Sequence, residues 1–138
     1  MRKYFTNSHF IGGLILEMAI DFIFHPSFEK EAANLKRRFV YLNEGLESFQ
    51  RLCEIQFHPL DPRQIIAPAK LHRVTQNDLW NIWKIELAVK NVKSNQSPRI
   101  WFAVKGSNIS FLCIATHVDN YSDNQMMKIA LERVSDIF

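Results

Sequence analysis

The chain has 138 residues and a formal net charge of +3, with 47% hydrophobic and 22% charged residues, the balance of one ordinary folded domain rather than a disordered, fibrous or membrane-spanning chain. Eleven Phe and three Trp supply enough apolar volume for a core without a disulfide or metal staple. The only cysteines, Cys53 and Cys113, lie far apart in separate apolar runs. They read as buried, inert thiols of a reducing compartment, and no C-x-x-C or H-x-x-x-H spacing points to a bound metal.

At the amino terminus, Met1-Arg2-Lys3 followed by the apolar Phe10–Leu16 loosely imitates a secretion signal. The stretch is short, carries two glycines and ends at Glu17 with no small-residue cleavage site after it, and it is too short to cross a bilayer. Residues 1–19 therefore read as an appendage, either an extra element packed on the domain or sequence ahead of a start at Met18, and residues 20–138 as the domain.

Ile20–Phe24 is short, aromatic and stopped by His25-Pro26, which reads as a first strand. A helix is expected from Ser27, because Phe28, Ala32, Leu35 and Phe39 fall on one apolar stripe. A second is expected with Asn43 as its cap and Leu46, Phe49 and Leu52 or Cys53 facing inward. A short connection between two amphipathic helices suggests an antiparallel hairpin. The segment 57–69 holds Pro59, Pro62 and Pro68 and closes the helical half. Four strands are then expected, at Lys70–Val74, Ile82–Val89, Arg99–Val104 and Ile109–Thr116, with Lys105-Gly106-Ser107-Asn108 as a tight hairpin connection. Ser122 or Asp123 caps a last helix running to about Asp136. Segregation of strands from helices makes the fold class α+β: an N-terminal strand, a two-helix hairpin, a four-stranded antiparallel stretch forming a twisted sheet, and a C-terminal helix.

Charge is unevenly spread. Asp61–His117 carries eight Lys or Arg against three acids, whereas residues 20–56 and the tail from Val118 are each slightly acidic. A basic middle fits an anionic partner such as RNA or an acidic protein. Period two turns Trp83, Ile85, Leu87 and Val89 to one sheet face and Lys84 and Glu86 to the other. Ile100, Phe102 and Val104 likewise oppose Arg99 and Trp101. If the helices cover the apolar side, Lys84, Glu86 and Arg99 project from an open face, with His117 near the end of the last strand. Trp101 on that face is a candidate for stacking on a base, while Trp83 belongs to the core. His9, His25 and His58 read as structural.

Several stretches resemble the RelE/ParE toxin superfamily over roughly residues 20–134. They are Phe24-His25-Pro26-Ser27-Phe28 at the first helix, Trp83-Lys84-Ile85-Glu86-Leu87 in the middle strand, Pro98-Arg99-Ile100-Trp101-Phe102-Ala103-Val104, and Thr116-His117-Val118-Asp119-Asn120-Tyr121. The resemblance implies a RelE-like fold and a cytoplasmic, ribosome-dependent messenger-RNA endoribonuclease working without metal or cofactor, with an acidic antitoxin as partner. It implies that Arg99 lies against the scissile phosphate and that Lys84 is a second cation. It makes His117 and Tyr121 a functional pair; Glu86 stands where some members carry a second lysine and others use a glutamate on that sheet face, and His72, more weakly, occupies a strand where some members place a histidine.

Metal-free cleavage needs a base for the ribose 2′-hydroxyl, an acid for the leaving 5′ oxygen and cations around the phosphorane. Histidine suits either proton role, with an ordinary pKa of roughly 6.5. Arginine offers a planar fork to phosphate oxygens. The expected assignment is His117 as acid or base, Arg99 and Lys84 as charge stabilisers, Tyr121 stacking on or orienting a base, and Glu86 or His72 completing the proton relay. Two rivals share the fold: a ParE-like gyrase inhibitor, which needs no convergence of His117 with Arg99, and an inactive domain that still pairs with an antitoxin.

Overall fold

A computed structural model describes residues 19–138 with their side chains, and of residues 1–18 only the backbone of three strands. These are β1 (Lys3–Phe5), β2 (Ser8–Ile11) and β3 (Leu14–Glu17). After them come β4 (Asp21–Phe24), α1 (Pro26–Lys36), α2 (Leu42–Gln56), β5 (Leu71–Gln76), β6 (Asn81–Glu86), β7 (Arg99–Lys105), β8 (Asn108–Ala115) and α3 (Asp123–Ile137). β1 pairs antiparallel with β4, and β2 pairs with β3. Met18 and the side chain of His9 lie outside the described residues.

The architecture is α+β. One six-stranded sheet runs in the order β1-β4-β8-β7-β6-β5. The strands β5 to β8 are successive antiparallel neighbours, and Gly106, with φ +57°, takes the left-handed position in the connection between β7 and β8. The sheet is nevertheless mixed, because β4 lies parallel to β8, with Phe22 opposite Ile109 and Phe24 opposite Phe111.

Local chemistry explains the helix ends. Pro26 opens α1, where its missing N–H costs nothing. The Nδ1 of His25 accepts from the Ser27 N–H at 3.0 Å. Its Nε2 must then be the protonated nitrogen, donating to Asp136 at 2.8 Å, so this histidine ties the start of α1 to the end of α3. α1 stops at Lys36, and Phe39 reaches the core from the following turn. α2 begins at Leu42 after Tyr41, without a side-chain cap, which puts Asn43 inside the first turn rather than at the cap. Ser122 caps α3 by accepting from the Gln125 N–H, and Gln125 Oε1 accepts from the Ser122 N–H in return, a reciprocal capping box.

One sheet face packs against α1 and α2. Phe111 sits at its centre, with the rings of Phe22, Phe24, Phe28, Phe49 and Phe102 at centroid distances of 5.0–6.2 Å, most of them edge-on, the arrangement aromatic quadrupoles favour. Cys53 is buried in this cluster. Gly45 lets α2 approach the strand extension after β6, since a Cβ there would lie 2.9 Å from the Ala88 carbonyl oxygen. Trp83 is half-buried against the same cluster.

The opposite face was expected to stand open, and here the structure requires a correction. α3 covers β7 and β8 with Met126, Ala130 and Val134, which enclose Ile82, Trp101, Ala103, Leu112, Cys113 and Ala115. Trp101 is 1% exposed, so it belongs to this second core and is not a platform for a base. The cause lies in β8, which is apolar on both sides and needs two covering layers. A register shift adds to this: Phe111 pairs with Phe102 and Cys113 with Trp101, skipping Leu112. Leu112 and Cys113 therefore both join the α3 side, the local consequence of a β-bulge. Beyond the start of α3 this face stays accessible at Lys84 and Arg99.

Candidate functional site

Lys84, Arg99, His117, Asn120, Tyr121 and Asp123 together line a surface pocket of about 360 Å³. Three parts of the chain build it. β6 and β7 lie side by side with Lys84 opposite Trp101 and Glu86 opposite Arg99, so period two sends Lys84, Glu86 and Arg99 to one face. The turn His117–Asp119 brings the imidazole in from the end of β8. Tyr121 and Asp123 come from the approach to α3 and its first residue.

The turn that carries His117 is braced. Asp119 Oδ2 accepts from the Thr116 N–H at 2.6 Å and from the Thr116 hydroxyl at 3.1 Å. Arg38, from the connection between α1 and α2, donates to Thr116 Oγ1 at 3.0 Å. Thr116 is buried, while His117 next to it is exposed. Asn120 closes the turn in the left-handed region at φ 49°, a conformation asparagine tolerates better than most residues.

Each cation is positioned by neighbours. Arg99 Nη1 donates to the Tyr121 hydroxyl oxygen at 3.1 Å, and Nη2 donates to Glu86 Oε1 at 3.3 Å. Lys84 Nζ donates to Asp123 Oδ1 at 3.3 Å and lies 6.0 Å from the Trp101 ring centroid. Tyr121 in turn meets Trp101 edge-on at 5.5 Å. Arg99 and Lys84 are 24% and 21% exposed, whereas Asp123 is 72% exposed, so a multivalent anion can displace these pairs at small cost. Burial pushes the Tyr121 phenol above its ordinary pKa, a rise that the hydrogen bond from Arg99 partly offsets. The phenol therefore keeps its proton near neutral pH. With its oxygen already accepting from Arg99, it has that proton to offer to a bound anion.

Of the expected residues, Lys84, Arg99, His117 and Tyr121 converge on this pocket, and Glu86 adjoins it through Arg99. His72 does not line it. Its strand pairs it with Lys84, but it is exposed and its Nε2 lies 2.9 Å from the Ala69 carbonyl oxygen. Sequence reading missed Asp119 as the brace and Asn120 and Asp123 as lining residues. The signal for the first was present, since Thr116-His117-Val118-Asp119 has the spacing of a capping box. Nothing in the local sequence announces that Arg38 reaches Thr116.

His58 accepts at Nδ1 from the Leu60 and Asp61 N–H groups and, like His25, shapes a local turn. Among the described residues no cluster of His, Cys, Asp and Glu is arranged to hold a metal ion, and no helix is long and apolar enough to cross a membrane. Comparison of the chain with protein-family models, with curated proteins and with solved structures found no match.

Proposed function

We propose that this protein is a RelE-like toxin, a cytoplasmic endoribonuclease that cleaves messenger RNA on the ribosome. The observation that carries the reading is the meeting of Lys84, Arg99, His117 and Tyr121 around one pocket. The order of strand, two helices, four antiparallel strands and helix from β4 onward supports it, as does the match of the pocket residues to the motifs that resemble the superfamily.

In this reading the scissile phosphate displaces the carboxylates of Glu86 and Asp123 from their cations and binds between Arg99 and Lys84. The ribose 2′-oxygen attacks phosphorus in line, a new P–O2′ bond forms and the P–O5′ bond breaks, leaving a cyclic phosphate and a free 5′-hydroxyl. Glu86, released from Arg99, takes the 2′-hydroxyl proton, and protonated His117 donates to the departing 5′ oxygen. Arg99 and Lys84 stabilise charge on the phosphorane. Tyr121 holds the Arg99 fork in place and adds a phenolic hydrogen bond to a non-bridging oxygen. An acidic antitoxin would silence such a site by supplying carboxylates to the same cations, as Glu86 and Asp123 do in the unbound protein.

The test is RNA cleavage in a translating extract by His117→Ala and, separately, Arg99→Ala. Each should lose about a hundredfold or more while melting unchanged. Undiminished cleavage by both removes the pocket from the mechanism. Topoisomerase inhibition with intact RNA points instead to a gyrase binder.

A further inference from the structure

A second and larger cavity, of about 700 Å³, lies between α1, the end of β8 and α3. It shares Asn120 and Tyr121 with the smaller pocket, so the two meet at one wall. We infer that this larger cavity is a nucleobase subsite. It would take the base adjoining the phosphate held by Lys84 and Arg99, with a preference for bases that carry an exocyclic amine. The inference rests on the RNA reading above and deepens it.

The cavity exists because β4 ends early. Phe24 pairs with Phe111, and beyond that point no strand among the described residues pairs with β8 on this side. Glu31 and Arg133 fill the place of the missing ladder. Glu31 Oε1 accepts from the Ile114 N–H at 3.4 Å, and Arg133 donates to the Leu112 carbonyl oxygen at 2.8 Å and to both Glu31 oxygens at 2.7 and 3.0 Å. The strand edge is thereby satisfied without being covered, and the notch beside it stays vacant between the two helices.

The lining divides by chemistry. Ile114 and Met126 are buried and Leu35 and Ile129 half-buried, while Asn34 and Asn120 are exposed at the mouth. Flat apolar contact inside with amide donors and acceptors at the rim suits a heterocyclic base, because a side-chain amide can pair with a ring nitrogen and its adjacent amine. The side chains of Asn34 and Asn120 make no hydrogen bond to other described residues, so both amides are available. Formal charge assigns the two ends of the ligand. The small pocket is net positive, with Lys84 and Arg99 against Asp123, whereas the large one is net negative, with Glu31 and Asp119 against Lys128, a balance that disfavours a second phosphate there and leaves Asp119 to accept from an amine. Glu31 is engaged by Arg133, and Asp119 bonds Thr116 through Oδ2, leaving Oδ1 of Asp119 to receive an amino group. A ligand anionic at one end and neutral with amine donors at the other fits this pair of cavities.

The test is titration of the whole protein, followed by NMR or calorimetry at low salt, with adenosine monophosphate, uridine monophosphate, ribose phosphate and adenosine. Adenosine monophosphate should bind about tenfold more tightly than ribose phosphate and several-fold more tightly than uridine monophosphate, as one bidentate base contact warrants. Asn34→Trp changes an exposed residue and should fill the mouth. It should abolish adenosine binding and bring adenosine monophosphate down to ribose phosphate, while ribose phosphate itself binds as before. Arg99→Ala should weaken the phosphorylated ligands far more than adenosine, whose cavity Arg99 reaches only through its bond to Tyr121. Equal binding of adenosine monophosphate and ribose phosphate overturns the subsite but leaves the phosphate pocket standing. So does adenosine binding that ignores Asn34→Trp. Adenosine binding lost in Asn34→Trp, together with phosphate binding indifferent to Arg99→Ala, keeps the base subsite and sinks the assignment of the phosphate pocket.

Discussion

The two faces of the sheet are built for different purposes. Towards α1 and α2 the contact is a continuous set of phenylalanine rings around Phe111. Towards α3 it is smaller and mixed, with Ala103, Ala115 and Ala130 beside Trp101 and Met126, and it gives out where Lys84, Arg99 and Tyr121 begin. The first face is given over to burial except where Leu35 and Ile114 border the larger cavity. The second divides its area between a modest core and an accessible polar patch, so the side chains that shape the pocket stand on a scaffold that the other face stabilises.

The strongest way to break this comparison is to weaken each face in turn. Phe111→Ala removes the ring to which the larger cluster is anchored and should cost about 3–5 kcal/mol, read as a drop in the denaturant midpoint. Met126→Ala on the other side should cost about 2 kcal/mol. It should also loosen the start of α3, so that ligand binding at the pocket falls even in conditions where the fold persists. Equal losses from the two substitutions would mean that the faces share the load evenly.

A finer probe is Asp123→Asn. It frees Lys84 from a carboxylate that is itself mostly exposed, so stability should move by less than about 0.5 kcal/mol. RNA binding should tighten a few-fold, with a steeper dependence on salt. Unchanged binding would detach Lys84 from the anion site.

The smallest effect expected is in thiol labelling at pH 8, where it should be none at all. Cys53 and Cys113 sit one on each face, and both are buried. Burial raises the Cys53 thiol well above its usual range and pushes Cys113 up to about 12. Neither should react with a thiol reagent at pH 8 while the chain is folded. Above an unfolded-state pKa of about 8.5 the unfolded chain loses thiol protons that the folded chain keeps, so stability should fall as pH rises from there towards 12. Rapid labelling of Cys113 alone would mean that α3 opens before the rest.

The comparison also shows what could be read from the chain. Alternation in Trp83–Val89 and Arg99–Val104 was legible and separates the two faces correctly, because each side chain there reports its own side. Phe111–Ala115 does not alternate, and its unbroken apolar run was the sign that α3 must lie over it. The bulge at Leu112 is invisible without the partner strand, since it depends on register rather than composition. The pairing of β4 with β8 and the reach of Arg38 to Thr116 are likewise long-range facts with no local signature. Lys84, Arg99, His117 and Tyr121 were found through motif resemblance and face assignment. Asn34 and the notch it borders arise from where a strand stops, which no motif records.

The parallel pairing of Asp21–Phe24 with Asn108–Phe111 has a consequence for biosynthesis. The opening segment of the domain has to wait for the last strand before the middle of the sheet can close, and connections between distant parts of the chain form slowly. During translation, a growing chain exposes its phenylalanine-rich strands without their central partner. The polar patch comes together later still, when the turn after β8 and the start of α3 have left the exit tunnel. A ribosome therefore makes every strand of this sheet before the assembled surface exists.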